Sequence, residues 1–209
     1  MMIANRKSGA YRVAVFCSAN SKLHPEFFEA AADFSKNLAR RGWELIYGGA
    51  QVGLMGCFAD EQIKAGGVAR GAITEGLVRT QETPHRGLNE LVIVKNLFER
   101  KRWMMEEADA FVIFPGGLGT LDEALEVITL KSLNELDKPI LFVNLRDFWQ
   151  TQLNTFNGFA AHGMIRAGGL ELFEVCARGE QIWKILDDAE QALHEARPQR
   201  SKSSNSASR

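Results

Sequence analysis

The sequence predicts an α/β fold: one doubly wound domain with a mainly parallel sheet and helices on both faces. Two observations carry the prediction. Short apolar runs alternate with helix-like segments along the chain, the pattern of a sheet covered on both sides. Glycine-rich turns follow two of those runs, at 48–56 and 116–119, where such a sheet takes its ligands.

The elements follow in order. Residues 12–17 (RVAVFC) form a first strand, and residues 25–40 a helix with Phe27, Ala31, Phe34 and Leu38 at helical spacing. Residues 43–47 are a second strand, 54–64 a helix, 68–74 a third strand and 91–94 a fourth. A helix over 96–108 leads to a fifth strand at 110–114 and, past the glycines, to a helix over 124–136. Residues 139–143 and 172–177 are the last two strands, with helices at 147–161 and 180–195. Residues 75–90 are the one long irregular stretch, and such stretches tend to carry function.

Domain organisation is simple: an N-terminal tail at 1–10, one domain over 11–195, and a polar, low-complexity tail at 196–209 read as disordered. With 209 residues, 45% of them hydrophobic, the chain can bury one substantial core. Net charge is −1 and no basic block precedes the tail, which argues against nucleic acid as partner. No apolar run approaches a membrane span, and no signal peptide is evident. Cys17, Cys57 and Cys176 are few and scattered, as expected of reduced thiols in a cytoplasmic protein, and no metal-ligand spacing joins them to the histidines.

The glycine loop Pro115-Gly116-Gly117-Leu118-Gly119-Thr120 stands between a strand and a helix. Glycines let the backbone approach an anion, and the helix N-terminus offers N–H groups and a positive dipole end. Neither glycine loop is a dinucleotide fingerprint or a Walker motif. Ser18, in Ser18-Ala19-Asn20-Ser21, leaves a third strand end on the same edge.

Two readings of Glu123 are open. With Thr120 at N-cap and Glu123 at N3 it forms a capping box, and Asp122 and Glu126 complement the helix dipole. Alternatively it is a carboxylate held beside a phosphate cradle for chemistry. Arg100 and Lys101 bear on the choice. They interrupt or flank a helical stripe of Leu97, Met104 and Ala108, and a buried cation needs an anionic partner: a bound phosphate, Glu123, or both. In the irregular segment, Glu82 reads alone as a solvated loop acid, and His85 as weak evidence for an acid or base.

The run 47–56 (YGGAQVGLMG), Glu99-Arg100-Lys101 and the PGG-x-GT-x-x-E element at 115–123 together resemble the LOG ("Lonely guy") phosphoribohydrolases. These cleave the N-glycosidic bond of cytokinin riboside 5′-monophosphates, and often of AMP. The resemblance implies a Rossmann-like fold and a homodimer or a multiple of dimers, with sites near the subunit interface. It also implies a catalytic pair at Arg100 and Glu123. Nucleotide contacts would come from Glu82, Arg100, Lys101, Gly117 to Glu123, and Thr129; Gly48, Gly49 and Gly116 belong to the matching motifs. Four positions depart from the family pattern, Ala50, Ile73-Thr74, Phe98 and Leu118, and they bear on the base pocket.

The implied reaction needs no metal and no cofactor. A nucleoside 5′-monophosphate is split into free base and ribose 5-phosphate. The phosphate sits on Gly117, Gly119 and Thr120, Glu123 stabilises the ribosyl cation, and Arg100 holds the Glu123 carboxylate. The rival readings are a non-catalytic nucleotide-binding or nucleotide-sensing module and a pyridoxal-phosphate decarboxylase.

Overall fold

Seven strands build one sheet: β1 (Arg12–Phe16), β2 (Glu44–Tyr47), β3 (Ala69–Thr74), β4 (Glu90–Val94), β5 (Ala110–Ile113), β6 (Ile140–Val143) and β7 (Glu174–Cys176). The structure is a computed structural model and describes residues 9–80, 83–177 and 179–203. Strand order is β4-β3-β2-β1-β5-β6-β7, and every neighbouring pair is parallel. Sequence order therefore runs outward in both directions from the β1–β5 boundary. At such a switch point the following loops diverge and leave a crevice at the carboxyl edge.

The helices are α1 (Pro25–Arg40), α2 (Gly53–Lys64), α3 (Glu75–Thr80), α4 (Leu97–Glu107), α5 (Leu118–Ser132), α6 (Gln150–Ala161) and α7 (Glu180–Ser203). Because successive strand residues point to opposite faces, the central strands feed two cores. Val13, Val15, Leu45 and Val112 meet α1, α2 and α7 through Phe34, Leu38, Phe58 and Leu186. Ala14, Phe16, Ile46 and Ile113 meet α4 and α5 through Met104, Ala124 and Val127. The doubly wound architecture expected from the sequence is the one observed. No helix among the described residues is long and apolar enough to cross a membrane.

The structure departs most from the sequence reading at three places. Helix α5 begins at Leu118, six residues earlier than expected, because its N-cap is Gly117 and not a side chain that caps. The irregular stretch contains the short helix α3. Helix α7 runs on to Ser203, where the sequence reading ends it at 195; residues 204–209 of the expected disordered tail lie outside the described residues, as do residues 1–8.

Candidate active site

The crevice at the carboxyl edge is bounded by the loop after β1, the turn after β2 and the loop after β5. Ser18 links two of its walls: its N–H donates to the Pro115 carbonyl at 3.2 Å, and its own carbonyl accepts from Leu54 at the start of α2 at 3.0 Å.

The phosphate-loop candidate is the α5 N-terminus. With Gly117 as N-cap, the N–H groups of Leu118, Gly119 and Thr120 have no intrahelical acceptor. The glycines do different jobs. A Cβ on Gly116 would lie 2.1 Å from Thr120 Oγ1, so Gly116 is required by packing against the buried Thr120. A Cβ on Gly117 or Gly119 would meet nothing within 4 Å. Both are exposed, and packing within the chain gives no reason for them.

This register bears on the capping reading of Glu123. Thr120 is at N3 and Glu123 at N6, so the expected capping box does not form. Glu123 sits about one and a half turns inside the helix, partly buried and beyond the N3 position of a capping box.

Arg100 is 7% exposed, deeper than its neighbours on the same turn of α4. Helix α4 is fixed at its start by Asn96, whose side chain accepts the Glu99 N–H at 2.9 Å. From there the Arg100 guanidinium reaches across the sheet edge. Its Nε donates to the Ala72 carbonyl at 3.0 Å and its Nη2 to the Gly48 carbonyl at 2.6 Å. Gly48 is required here: a Cβ would lie 2.0 Å from Arg100 Nη2. Gly49 closes the same turn with a left-handed φ of 76°. The expected stripe on α4 is corrected accordingly. Arg100 and Met104 face the core, whereas Leu97 is exposed.

The buried Cys17 at the end of β1 lies within electrostatic reach of both Arg100 and Glu123. Burial pushes its thiol well above the ordinary value, the Glu123 carboxylate pushes it further, and the Arg100 guanidinium pulls it back. One side chain thus feels both charges, although they arise from helices on different strands' connections.

Lys101 does not meet Glu123. Its Nζ binds Asp122 Oδ2 at 2.9 Å and Glu126 Oε2 at 2.6 Å, the carboxylates one turn along α5. Burial lowers the Lys101 pKa, and the hydrogen bonds it donates to Glu126 and Asp122 outweigh that, so the ammonium ends above its usual value. Asp122 and Glu126 are ion-pair partners and lie beyond the first turn that a dipole argument covers. The sequence missed this link between α4 and α5.

Thr129 is not brought to this crevice. It lies six residues beyond Glu123, exposed, and lines an apolar groove of about 550 Å³ with Ile128, Leu133, Phe156 and Phe159. Glu82 lies outside the described residues. The departures at Phe98 and Leu118 are the two side chains at the crevice mouth that stand most exposed among large apolar residues there, at 77% and 88%. Cys57 is only half buried, unlike Cys17 and Cys176. No group of His, Cys, Asp and Glu among the described residues could hold a metal ion.

Comparison with known proteins matches these features. A family model described as "Possible lysine decarboxylase" covers residues 55–186. A cytokinin riboside 5′-monophosphate phosphoribohydrolase of Rhodococcoides fascians is 35% identical over 164 residues, 78% of this chain and 83% of the relative. The enzyme of the same name from Mycobacterium tuberculosis is also 35% identical, over 78% of this chain and 87% of its own. Among solved structures, the molybdenum cofactor binding protein of Rippkaea orientalis superposes with a TM-score of 0.64 at 18% identity, over 86% of this chain and 96% of that one. The Moco carrier protein of Chlamydomonas reinhardtii gives 0.63 at 18%, over 89% and 99%. At that identity the two structures speak for the fold alone. The sequence relatives and the family match together place the chain: it belongs to the LOG phosphoribohydrolase family, the group that also carries the description "Possible lysine decarboxylase".

Proposed function

We propose that this protein hydrolyses the N-glycosidic bond of nucleoside 5′-monophosphates, cytokinin riboside 5′-monophosphate or AMP, to free base and ribose 5-phosphate. The observation that carries the reading is Glu123. It is a partly buried carboxylate outside the capping-box position, just inside a helix N-terminus and in the electrostatic neighbourhood of a buried arginine.

The 5′-phosphate takes the amides of Gly117, Leu118, Gly119 and Thr120, where two exposed glycines leave room for an anion. That anchor holds the sugar, and binding energy from the remote phosphate orients C1′. As the base leaves with the bonding electrons, positive charge grows on the ribose. Glu123 stabilises it and directs a water, whose hydroxyl joins C1′ and whose proton goes to the base. Arg100, seated on the Gly48 and Ala72 carbonyls, holds the carboxylate and substrate oxygens in register.

Lys101 pairs with both Asp122 and Glu126 and offsets part of their charge, so the phosphate does not meet two bare carboxylates near its cradle. The same contacts argue against a decarboxylase. A lysine that forms an imine must lose its proton, and Lys101 is held charged by two acids while Lys131 donates to the Lys138 carbonyl at 3.0 Å. These residues do not fit pyridoxal phosphate.

The working unit is a homodimer or a multiple of dimers. Thr129 supports this: it faces away from its own crevice and lines a groove rimmed by the exposed Leu133, Phe159 and Met164, so it reaches a nucleotide only across an interface. A monomer that keeps full turnover at micromolar concentration contradicts that assembly.

Chromatography of AMP, isopentenyladenosine monophosphate and the matching nucleosides after incubation tests the function. Free base and ribose 5-phosphate are expected from the monophosphates and not from the nucleosides. Binding of AMP without base release returns the chain to a nucleotide-binding module.

A further inference from the structure

Arg100 is held by more than the two carbonyls that seat it. Its Nη2, which donates to the Gly48 carbonyl at 2.6 Å, also stands 3.9 Å from Met55 Sδ, within the reach of a long N–H···S hydrogen bond. Both residues are enclosed, at 7% exposure each. They meet over Gly48: a Cβ there would lie 2.0 Å from Arg100 Nη2 and 2.9 Å from Met55 Sδ. Met55 itself has no part in the proposed reaction.

The loop after β1 sets the place of Met55. In the first turn of α2, the Gly53 N–H donates to Ser21 Oγ at 3.2 Å and the Leu54 N–H to the Ser18 carbonyl at 3.0 Å. Gly53 has a left-handed φ of 56°, and a Cβ there would lie 2.4 Å from the Ala19 carbonyl carbon. The helix start is thus pressed onto that loop, and Met55 lies in the same turn.

A guanidinium is planar. Its two carbonyl anchors, Ala72 on β3 and Gly48 in the turn after β2, define a line about which the plane can tilt. A third contact, from α2, opposes that tilt. A thioether suits the place, because it packs as an apolar group and still accepts a weak hydrogen bond, with no further charge set against the crevice. We propose that Met55 is a positioning residue for the reaction: its sulfur holds the Arg100 guanidinium at the tilt that the Glu123 carboxylate and the substrate oxygens require. The proposal rests on the phosphoribohydrolase reading and on the part Arg100 plays in it. Loss of the sulfur leaves Arg100 on its two carbonyls, so substrate still binds while the chemical step, which depends steeply on alignment, slows.

A double-variant cycle on AMP turnover tests this, with Met55→Leu made in the wild type and in Arg100→Ala. Leucine keeps the volume and deletes the acceptor, a swap that cores tolerate. Urea unfolding measured beside the kinetics refers each rate to the folded protein, so lost stability does not count as lost turnover. Met55→Leu alone lowers kcat by about 5-fold or more with KM within about 2-fold. In the Arg100→Ala background the same change moves kcat by less than about 2-fold, because no guanidinium is left to hold. An unchanged kcat in Met55→Leu, or an equal loss in both backgrounds, overturns the proposal while the wild type remains active. So does an Arg100→Ala protein with full turnover. A wild type that cleaves no nucleoside monophosphate overturns the phosphoribohydrolase reading itself.

Discussion

The two edges of the sheet each bury arginine, and they treat it in opposite ways. At the amino edge, Arg12 Nε meets Glu44 at 3.0 Å and its Nη1 meets Glu107 at 2.6 Å. Arg70 joins the same Glu107 at 2.5 Å and also pairs with Glu90. The Arg12 N–H donates to Asp109 at 3.0 Å. Charge is enclosed by charge, and the cluster stitches β1, β2, β3 and β4 to the end of α4. At the carboxyl edge, Arg100 donates to two main-chain carbonyls, which set its position. One edge uses guanidinium groups to close the structure. The other holds a guanidinium beside the crevice where the loops of β1 and β5 part. The difference teaches that a buried arginine reads as structural or functional from its partners and its edge, since exposure is 4% for Arg12 and 7% for Arg100.

The contrast is breakable by mutation, and the largest effect belongs to the amino edge. Arg12→Leu leaves Glu44 and Glu107 buried without that partner and costs about 3–5 kcal/mol in urea unfolding. The fraction that remains folded keeps its turnover. Arg100→Ala reverses the pattern, with turnover falling by about 10²-fold, roughly 2.7 kcal/mol in the barrier. If Arg100 and Glu123 act as a unit, the double variant is little worse than either single one. Smaller again is Lys101→Met. It strips Asp122 and Glu126 of their cation beside the phosphate cradle and raises KM for AMP by about 10-fold, an effect that shrinks at high salt. The smallest expected signal is at the thiols. Burial raises the pKa of Cys17, Cys57 and Cys176 alike, so a thiol reagent at pH 7 labels the folded protein slowly and the urea-unfolded protein fully.

Much of this was legible in the chain because it depends on local chemistry. Apolar runs such as AFVI and RVAVF have one comfortable home, a strand buried on both faces, and their alternation with helices leaves little choice of architecture. Arg100 stands out as a charge flanking an apolar helical stripe, and Glu123 as a carboxylate beside a phosphate cradle. What the sequence hid depends on register and on distant partners. The start of α5 was missed because Gly117 caps it without a side chain, and that slip made Glu123 resemble a capping residue. The Lys101 pairs and the His85–Asp60 contact join residues 21 to 25 positions apart, beyond any helical spacing rule. The seat of Arg100 is a pair of backbone carbonyls, which no side-chain pattern announces.

The central claim is that Glu123 acts on the substrate and not on the helix. Glu123→Gln preserves size and removes the charge, so kcat for AMP measured beside urea stability and AMP affinity tests it most directly. Turnover should fall by about 10²-fold or more while stability moves by less than about 1 kcal/mol and AMP still binds. A Glu123→Gln protein with near-normal kcat would contradict the account and place the chemistry elsewhere in the chain.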